Sequence, residues 1–140
     1  MENSSKALGY LSLARKGGLA ELGEEPVGAI ARAGKAYVIL VASDASDHTW
    51  RRAKSYVAGT EQQCVRLDVT KDEMGFAVGR TSLAIAAITD VQLALALVKA
   101  LPPKPKTAQA LEVLTGKAAK AKKRQAEARA HQRNLKKGKK

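Results

Sequence analysis

Apolar positions along the chain switch between helical and strand spacing, and the switches divide it into alternating elements. Ser4 or Ser5 is placed to cap a first helix whose inner stripe is Ala7, Leu8, Leu11 and Ala14. Arg15-Lys16 bring positive charge to its last turn, and Gly17-Gly18 end it. Leu19 to Leu22 is a short strand candidate. Gly23 then turns the chain into Glu24-Glu25-Pro26, acidic residues and a proline suited to a helix start. That second helix runs through Val27, Ile30 and Ala31 to Gly34. Tyr37 to Ala42 is a continuous apolar run, the pattern of a strand covered on both faces. Asp44-Ala45-Ser46-Asp47 opens a third helix carrying Trp50, Ala53, Tyr56 and Val57, and Gly59 stops it. Cys64 to Val69 gives the next strand. Thr70-Lys71-Asp72-Glu73 has the form of a capping box and starts a short helix that ends near Gly79. Ser82 to Thr89 is a further strand, with Leu83, Ile85 and Ile88 as its larger apolar members. Asp90 caps a last helix, Val91 to Leu101, which Pro102 terminates. The order α-β-α-β-α-β-α-β-α predicts an α/β protein, a sheet with helices on both faces in a three-layer α-β-α sandwich.

Charge adds a second region. Residues 1–101 carry 12 Lys+Arg against 11 Asp+Glu, whereas residues 102–140 carry 13 against 2. Nearly all of the net charge of +12 therefore lies behind the break Pro102-Pro103-Lys104-Pro105. The chain divides into a near-neutral domain, 1–101, and a basic Lys/Ala-rich tail, 102–140. Leu111, Val113, Leu114 and Leu135 are the tail's only large aliphatics, and it has no aromatic residue. It is expected to build no core of its own and to be disordered or conditionally helical. Lys, Arg, Gln and Ala favour helix; Thr107 is placed to cap its start and Gly116 weakens its middle. A polyanion that cancels Lys–Lys repulsion would firm it up. Nucleic acid suits such a segment through counterion release, an affinity that falls steeply with salt. The expected contacts are Lys117, Lys120, Lys122, Lys123, Arg124, Arg129, Arg133, Lys136 and Lys137. The bland alternative is a solubilising tail with no specific target. Truncation after Leu101 is expected to flatten the salt dependence of binding and leave the fold intact.

Several function classes drop out. Aromatics at 4% argue against a sheet that stacks many bases. The single cysteine, Cys64, excludes an internal disulfide framework and a zinc site of several cysteines. No apolar stretch approaches the roughly 20 residues of a membrane helix. Met1 to Lys6 lacks the order of a signal peptide, so a soluble protein of a reducing, cytoplasmic compartment is expected, with no membrane partner. Low apolar content in the tail leaves only weak adsorption to acidic lipid. No dinucleotide fingerprint or P-loop is present, and the Gly75 to Gly79 spacing reads as a tight helix end. Asp44, Asp47 and His48 form one compact cluster suggestive of a metal, but Asp ahead of a helix more commonly caps backbone N–H groups. Cys64 reads as a buried, inert thiol, and His131 lies far in sequence from any core carboxylate. No catalytic residue, metal or cofactor is expected, and the protein does not read as an enzyme.

The residues carry a family resemblance. Leu11-Ser12-Leu13-Ala14-Arg15-Lys16-Gly17-Gly18 followed by Gly23-Glu24-Glu25 resembles the opening of the bacterial YlxQ-like ribosomal-protein family. Leu40 to Ser46, Met74 to Arg80 and Ala86 to Asp90 are similar to that family's later blocks, in order and with compatible spacing over residues 7–101. The YlxQ-like proteins belong to the kink-turn RNA-binding superfamily of archaeal and eukaryotic large-subunit ribosomal proteins. The resemblance implies a four-stranded mixed sheet and RNA binding without catalysis. It also implies a site where the second helix begins, beside the loop after the fourth helix. There the superfamily's Gly-x-Asn-Glu-x-x-Lys motif reads sheared G·A pairs, and the loop packs against a flipped-out nucleotide.

Carried onto this chain, the motif's glycine falls on Gly23, its asparagine on Glu25, its glutamate on Pro26 and its lysine on Ala29. A basic position four residues further falls on Ala33, with Arg32 and Lys35 close by. A carboxylate that only accepts thus replaces an amide that both donates and accepts, and Pro26 offers no side-chain acceptor. In the later loop, Gly79-Arg80-Thr81-Ser82 combines backbone freedom, one cation and two hydroxyls, and Val78 is expected to touch an extruded base. The expected RNA-contact set is Gly23, Glu24, Glu25, Arg32, Lys35, Val78, Gly79, Arg80, Thr81 and Ser82. A non-catalytic protein binding structured, kink-turn-like or ribosomal RNA is expected, associated with the ribosome in a bacterial cytoplasm. The alternatives are a protein-interaction module that presents its acidic Gly23-Glu24-Glu25 edge to a basic partner, and a nucleoid-associated protein whose tail coats duplex DNA.

Overall fold

A strand apolar at every position needs cover on both faces, and Val38–Val41 has it, all four residues being buried. The computed structural model describes the backbone of residues 2–138 and the side chains of residues 5–132. The elements are α1 (Glu2–Lys16), β1 (Ala20–Leu22), α2 (Glu24–Arg32), β2 (Val38–Val41), α3 (Asp47–Val57), β3 (Gln63–Arg66), α4 (Lys71–Ala77), β4 (Ile85–Ile88), α5 (Val91–Lys99) and α6 (Pro105–Gly138). The strands form one mixed sheet in the order β1-β4-β2-β3. β4 runs antiparallel to β1 and β2, while β2 and β3 are parallel. α2 and α3 pack on each other and on the strands, and α1, α5 and α6 form a second contiguous layer. This is the expected α-β-α sandwich.

Strand register sorts the connections into two ends. Val41 pairs with both Ile85 and Arg66, and Leu22 pairs with Ala86. The C-terminal ends of β1, β2 and β3 therefore lie beside the start of β4. Gly23 and residues 43–46, 67–70 and 78–84 share that end of the sheet. Residues 17–19, 33–37, 58–62 and 89–90 share the other.

Local side-chain chemistry fixes three helix starts. Thr70 and Glu73 make the expected capping box, and Asp90 Oδ2 accepts from Leu93 N at 2.9 Å. α3 differs: Ser46 Oγ accepts from Thr49 N, whereas Asp44 Oδ1 accepts from Lys71 N at 2.8 Å. Asp44 thus ties the turn after β2 to the start of α4, two segments that meet only in the folded chain. α1 begins at Glu2, ahead of Ser4 and Ser5, so neither is its cap.

The basic segment packs onto the rest of the chain. It is helical from Pro105, and Thr107 lies inside α6 rather than at its cap. Thr107, Ala110, Leu114 and Ala118 are buried, and Leu111 and Ala121 pack beside them. Their spacing of three and four places them on one stripe, laid against α5 and β3. The segment lacks a core of its own but completes the core of residues 1–101. Burying Leu114 alone is worth about 1.5–3 kcal/mol. Truncation after Leu101 would uncover this surface, so the fold is not expected to survive that cut unchanged. From Lys122 to Gln132, by contrast, every residue except Ala130 is exposed. The 34 residues of α6 span about 50 Å, and its second half carries cations beyond the packed core.

Candidate nucleic-acid interface

The first half of the site is built by a glycine. Gly23 precedes α2 at φ 95°, a left-handed conformation that a side chain would strain, and it provides no side-chain cap. Its N–H donates to Ile85 O at 3.0 Å, which pins the start of α2 to the start of β4. Glu24 and Glu25 occupy the first turn, where the helix dipole favours negative charge.

The second half is the segment after α4. Arg80 N donates to Gly75 O at 2.8 Å, and Leu83 N donates to Lys71 O at 2.9 Å, so the segment folds back along α4. A methyl group on Gly75 would stand 2.6 Å from Ser82 N and 2.9 Å from Arg80 O, both backbone atoms. Only glycine allows this approach. Gly79, at φ 76°, makes the turn, and Gly79, Arg80, Thr81 and Ser82 are all exposed.

The two halves meet. A methyl group on Gly23 would lie 4.0 Å from Arg80 Nη1, which places this guanidinium over the start of α2. Arg52 Nε stands 3.9 Å from Glu24 Oε1 and donates to Tyr56 OH at 3.3 Å. The Tyr56 hydrogen bond, with the charge of the phenolate once Tyr56 ionises and that of the Glu24 carboxylate, holds the Arg52 pKa above its ordinary value. Two cations therefore stand near the acidic first turn and offset part of its negative charge. Glu25 is exposed.

Val78 does not take the expected place. It is 3% exposed, within the core beside Met74, and has no surface to offer a base. The apolar surface on this segment belongs instead to Phe76, 86% exposed. The sequence held the signal: Met74 and Val78 are four apart and share the inner face of α4, so Phe76 between them faces out.

Arg32 and Lys35 lie elsewhere. Arg32 closes α2 about 12 Å along its axis from Glu24, and Lys35 follows at the opposite end of the sheet. Arg32 there lines a cleft of about 360 Å³ together with Tyr37, Gln62 and Lys117 of α6. Lys117 Nζ pairs with Glu61 Oε2 at 2.6 Å, and that hydrogen bond holds the Glu61 carboxyl below the usual carboxylate range. Arg15 and Lys16, in the last turn of α1, approach the same end. Lys120, Lys122, Lys123, Arg124 and Arg129 are exposed along α6. Arg133, Lys136 and Lys137 lie outside the described side chains. The expected RNA-contact set is thus divided between the ends of the sheet, with Gly23, Glu24 and Arg80 at one and Arg32 and Lys35 at the other, where the α6 cations also lie.

Among the described residues no group of three or more His, Cys, Asp or Glu could hold a metal ion. Burial raises the Cys64 thiol pKa, the direction of an unreactive cysteine. No helix among the described residues is long and apolar enough to cross a membrane.

No family model and no curated protein matches the chain. Solved structures do. A protein of unknown function from Bacillus halodurans superposes with a TM-score of 0.64 at 21% identity, covering 68% of this chain and 95% of that one. The Giardia lamblia 15.5kD RNA binding protein superposes with a TM-score of 0.51 at 16% identity, covering 85% of this chain and 90% of that one. At these identities the likeness shows a shared fold.

Proposed function

We propose that the protein is a non-catalytic RNA-binding protein that docks structured RNA at the Gly23–Arg80 end of the sheet and adds electrostatic grip through α6. The observation that carries this reading is the placement of Arg80 over Gly23. It brings the helix start and the later loop, distant in sequence, onto one surface, and α4, which leads into that loop, carries an exposed aromatic, Phe76. A guanidinium and two hydroxyls suit phosphate and sugar contacts, and the ring suits an unstacked base. The fold shared with an RNA-binding protein from Giardia agrees. The superfamily's motif is altered at Glu25, Pro26 and Ala29, so recognition here rests on RNA shape and the loop more than on an amide reading base edges. The RNA is a kink-turn-like or ribosomal element, and the protein acts at the ribosome in a bacterial cytoplasm.

Crosslinking in cells, with sequencing of the bound RNA and mapping of the crosslinked peptides, tests this. Recovery of folded RNA joined to the 75–82 segment is expected. Crosslinks confined to residues 122–138, with no preferred RNA, would reduce the protein to a polyelectrolyte binder. Duplex DNA recovered in place of RNA would favour a nucleoid role for α6.

A further inference from the structure

At the same end of the sheet as Gly23, but on the opposite edge, β3, α3 and the start of α6 enclose a cleft of about 520 Å³. That falls within the roughly 300–1,000 Å³ usual for small-molecule sites. Trp50, half-buried, forms its apolar wall, and Ser43, Arg66, Lys104 and Lys106 supply polar groups. Three cations crowd the indole: Lys106 Nζ stands 5.4 Å from the ring centroid, and Lys54 Nζ and the Arg66 guanidinium 5.6 Å each. Asp68 is the only acidic residue of the lining and is engaged by Lys104 Nζ at 3.0 Å. No ion pair among the described residues involves Lys54, Arg66 or Lys106. Arg66 Nη2 donates to Ala45 O at 2.9 Å, which fixes the guanidinium, while its Nε is shut off from solvent and meets no acceptor. Pro105 and Thr107 also line the cleft, so the positive end of the α6 dipole opens onto it.

We infer that this cleft holds one unpaired nucleotide of the bound RNA, its base against Trp50 and its phosphate against Arg66 and Lys106. The inference rests on the RNA-binding reading and adds a second subsite to it. Cations gathered at one ring without a counter-charge repel each other, and a phosphate relieves that repulsion. Lys54 and Lys106 reach the indole on flexible stems, so a base can take their place over the ring while an ammonium turns to the phosphate. Base-on-indole stacking requires a nucleotide released from its helix, as in a bulge or loop. Edge strands β1 and β3 are three strand spacings apart, about 14 Å, so one RNA can engage both sites.

Trp50 is the only tryptophan in the chain, so its emission reports this cleft alone. The full-length protein is titrated with hexauridylate, then with uridine 5′-monophosphate and with inorganic phosphate at matched concentration. Saturable quenching by hexauridylate is expected, with an apparent affinity that falls about tenfold in both Arg66→Gln and Lys106→Gln. Lys106 is exposed, so its variant keeps the test intact should Arg66→Gln fold poorly. Unmoved emission, or quenching indifferent to both substitutions, overturns the proposal. So does equal competition by inorganic phosphate, which marks a bare anion site, or binding of the free monophosphate but not the oligomer. A structured RNA that binds the protein without changing Trp50 emission overturns the cleft and leaves the RNA-binding reading standing. Absence of binding by any RNA overturns both.

Discussion

Gly75 and Ser82 approach so closely that a methyl group on the first would stand 2.7 Å from the Cα of the second. The contact is backbone against α4, with no flexible side chain to give way. Gly75→Ala is therefore expected to push the 80–82 segment outward, at a cost of about 1–3 kcal/mol. Arg80 would leave its place over Gly23, and RNA affinity would fall with stability. Denaturant unfolding together with RNA titration checks this. Unchanged RNA affinity in a folded Gly75→Ala protein would show that the loop position is irrelevant to binding.

Arg80→Gln separates charge from scaffold. Arg80 is exposed and its side chain supports no buried group, so the melting temperature is expected to stay within experimental error. Affinity for structured RNA should drop about tenfold, equivalent to about 1.4 kcal/mol. Phe76→Ala should likewise spare stability, its ring being almost wholly in solvent, and weaken RNA binding.

Leu114→Ala tests whether α6 belongs to the packed body. Leu114 is fully buried, so truncation should cost about 2–5 kcal/mol and expose the 105–121 stretch to limited proteolysis. A loss under about 0.5 kcal/mol would mean that the helix is not docked in solution.

The electrostatic share of binding is assigned to the outer half of α6. Replacing Lys122, Lys123, Arg124 and Arg129 by Gln should make the slope of log affinity against log salt shallower by up to about four. The fold should be unaffected, since all four side chains are exposed. This set of changes replaces truncation after Leu101, which would also remove the buried Ala110, Leu114 and Ala118.

The Glu61–Lys117 pair gives docking of α6 a pH dependence of defined sign. Lys117 lowers the Glu61 pKa in the folded chain. The pair's stabilisation is therefore complete above the usual glutamate value of about 4.3 and is lost as pH falls through the lowered value. Glu61 is mostly exposed, so the effect is small. The melting-temperature gap between the parent and Glu61→Gln should be present at neutral pH and close once the pH is taken below the lowered Glu61 value. A gap that persists there would assign it to something other than the charge.

The fold was legible because each element announces itself locally. The Thr70–Glu73 box, Asp90 before Val91 and the unbroken Val38–Val41 run all lie where their chemistry dictates. α6 was less legible. Its buried stripe is mostly alanine, which carries little hydrophobic signal, and the surrounding lysines dominate any average over the segment. Thr107, Ala110, Leu114 and Ala118 nevertheless keep helical spacing, and that spacing was the available clue. Of the site, the pairing of Gly23 with the 79–82 loop came from the resemblance, and the sequence could not show that Arg80 lies over Gly23. Arg32 and Lys35 lie beside Ala33, where the resemblance puts a basic position, yet the length of α2 carries them to the other end of the sheet. The Trp50 cleft was invisible because its walls come from α3, β3 and α6, three elements joined only by packing.

The most direct test of the central claim is competition binding of the full chain to a kink-turn RNA, a straightened mutant of that RNA and duplex DNA, each at low and near-physiological salt. The account predicts that affinity for all three falls with salt while the preference for the kinked RNA persists, because the Gly23–Arg80 surface reads shape and α6 supplies charge. Equal binding to all three at both salt concentrations would contradict it.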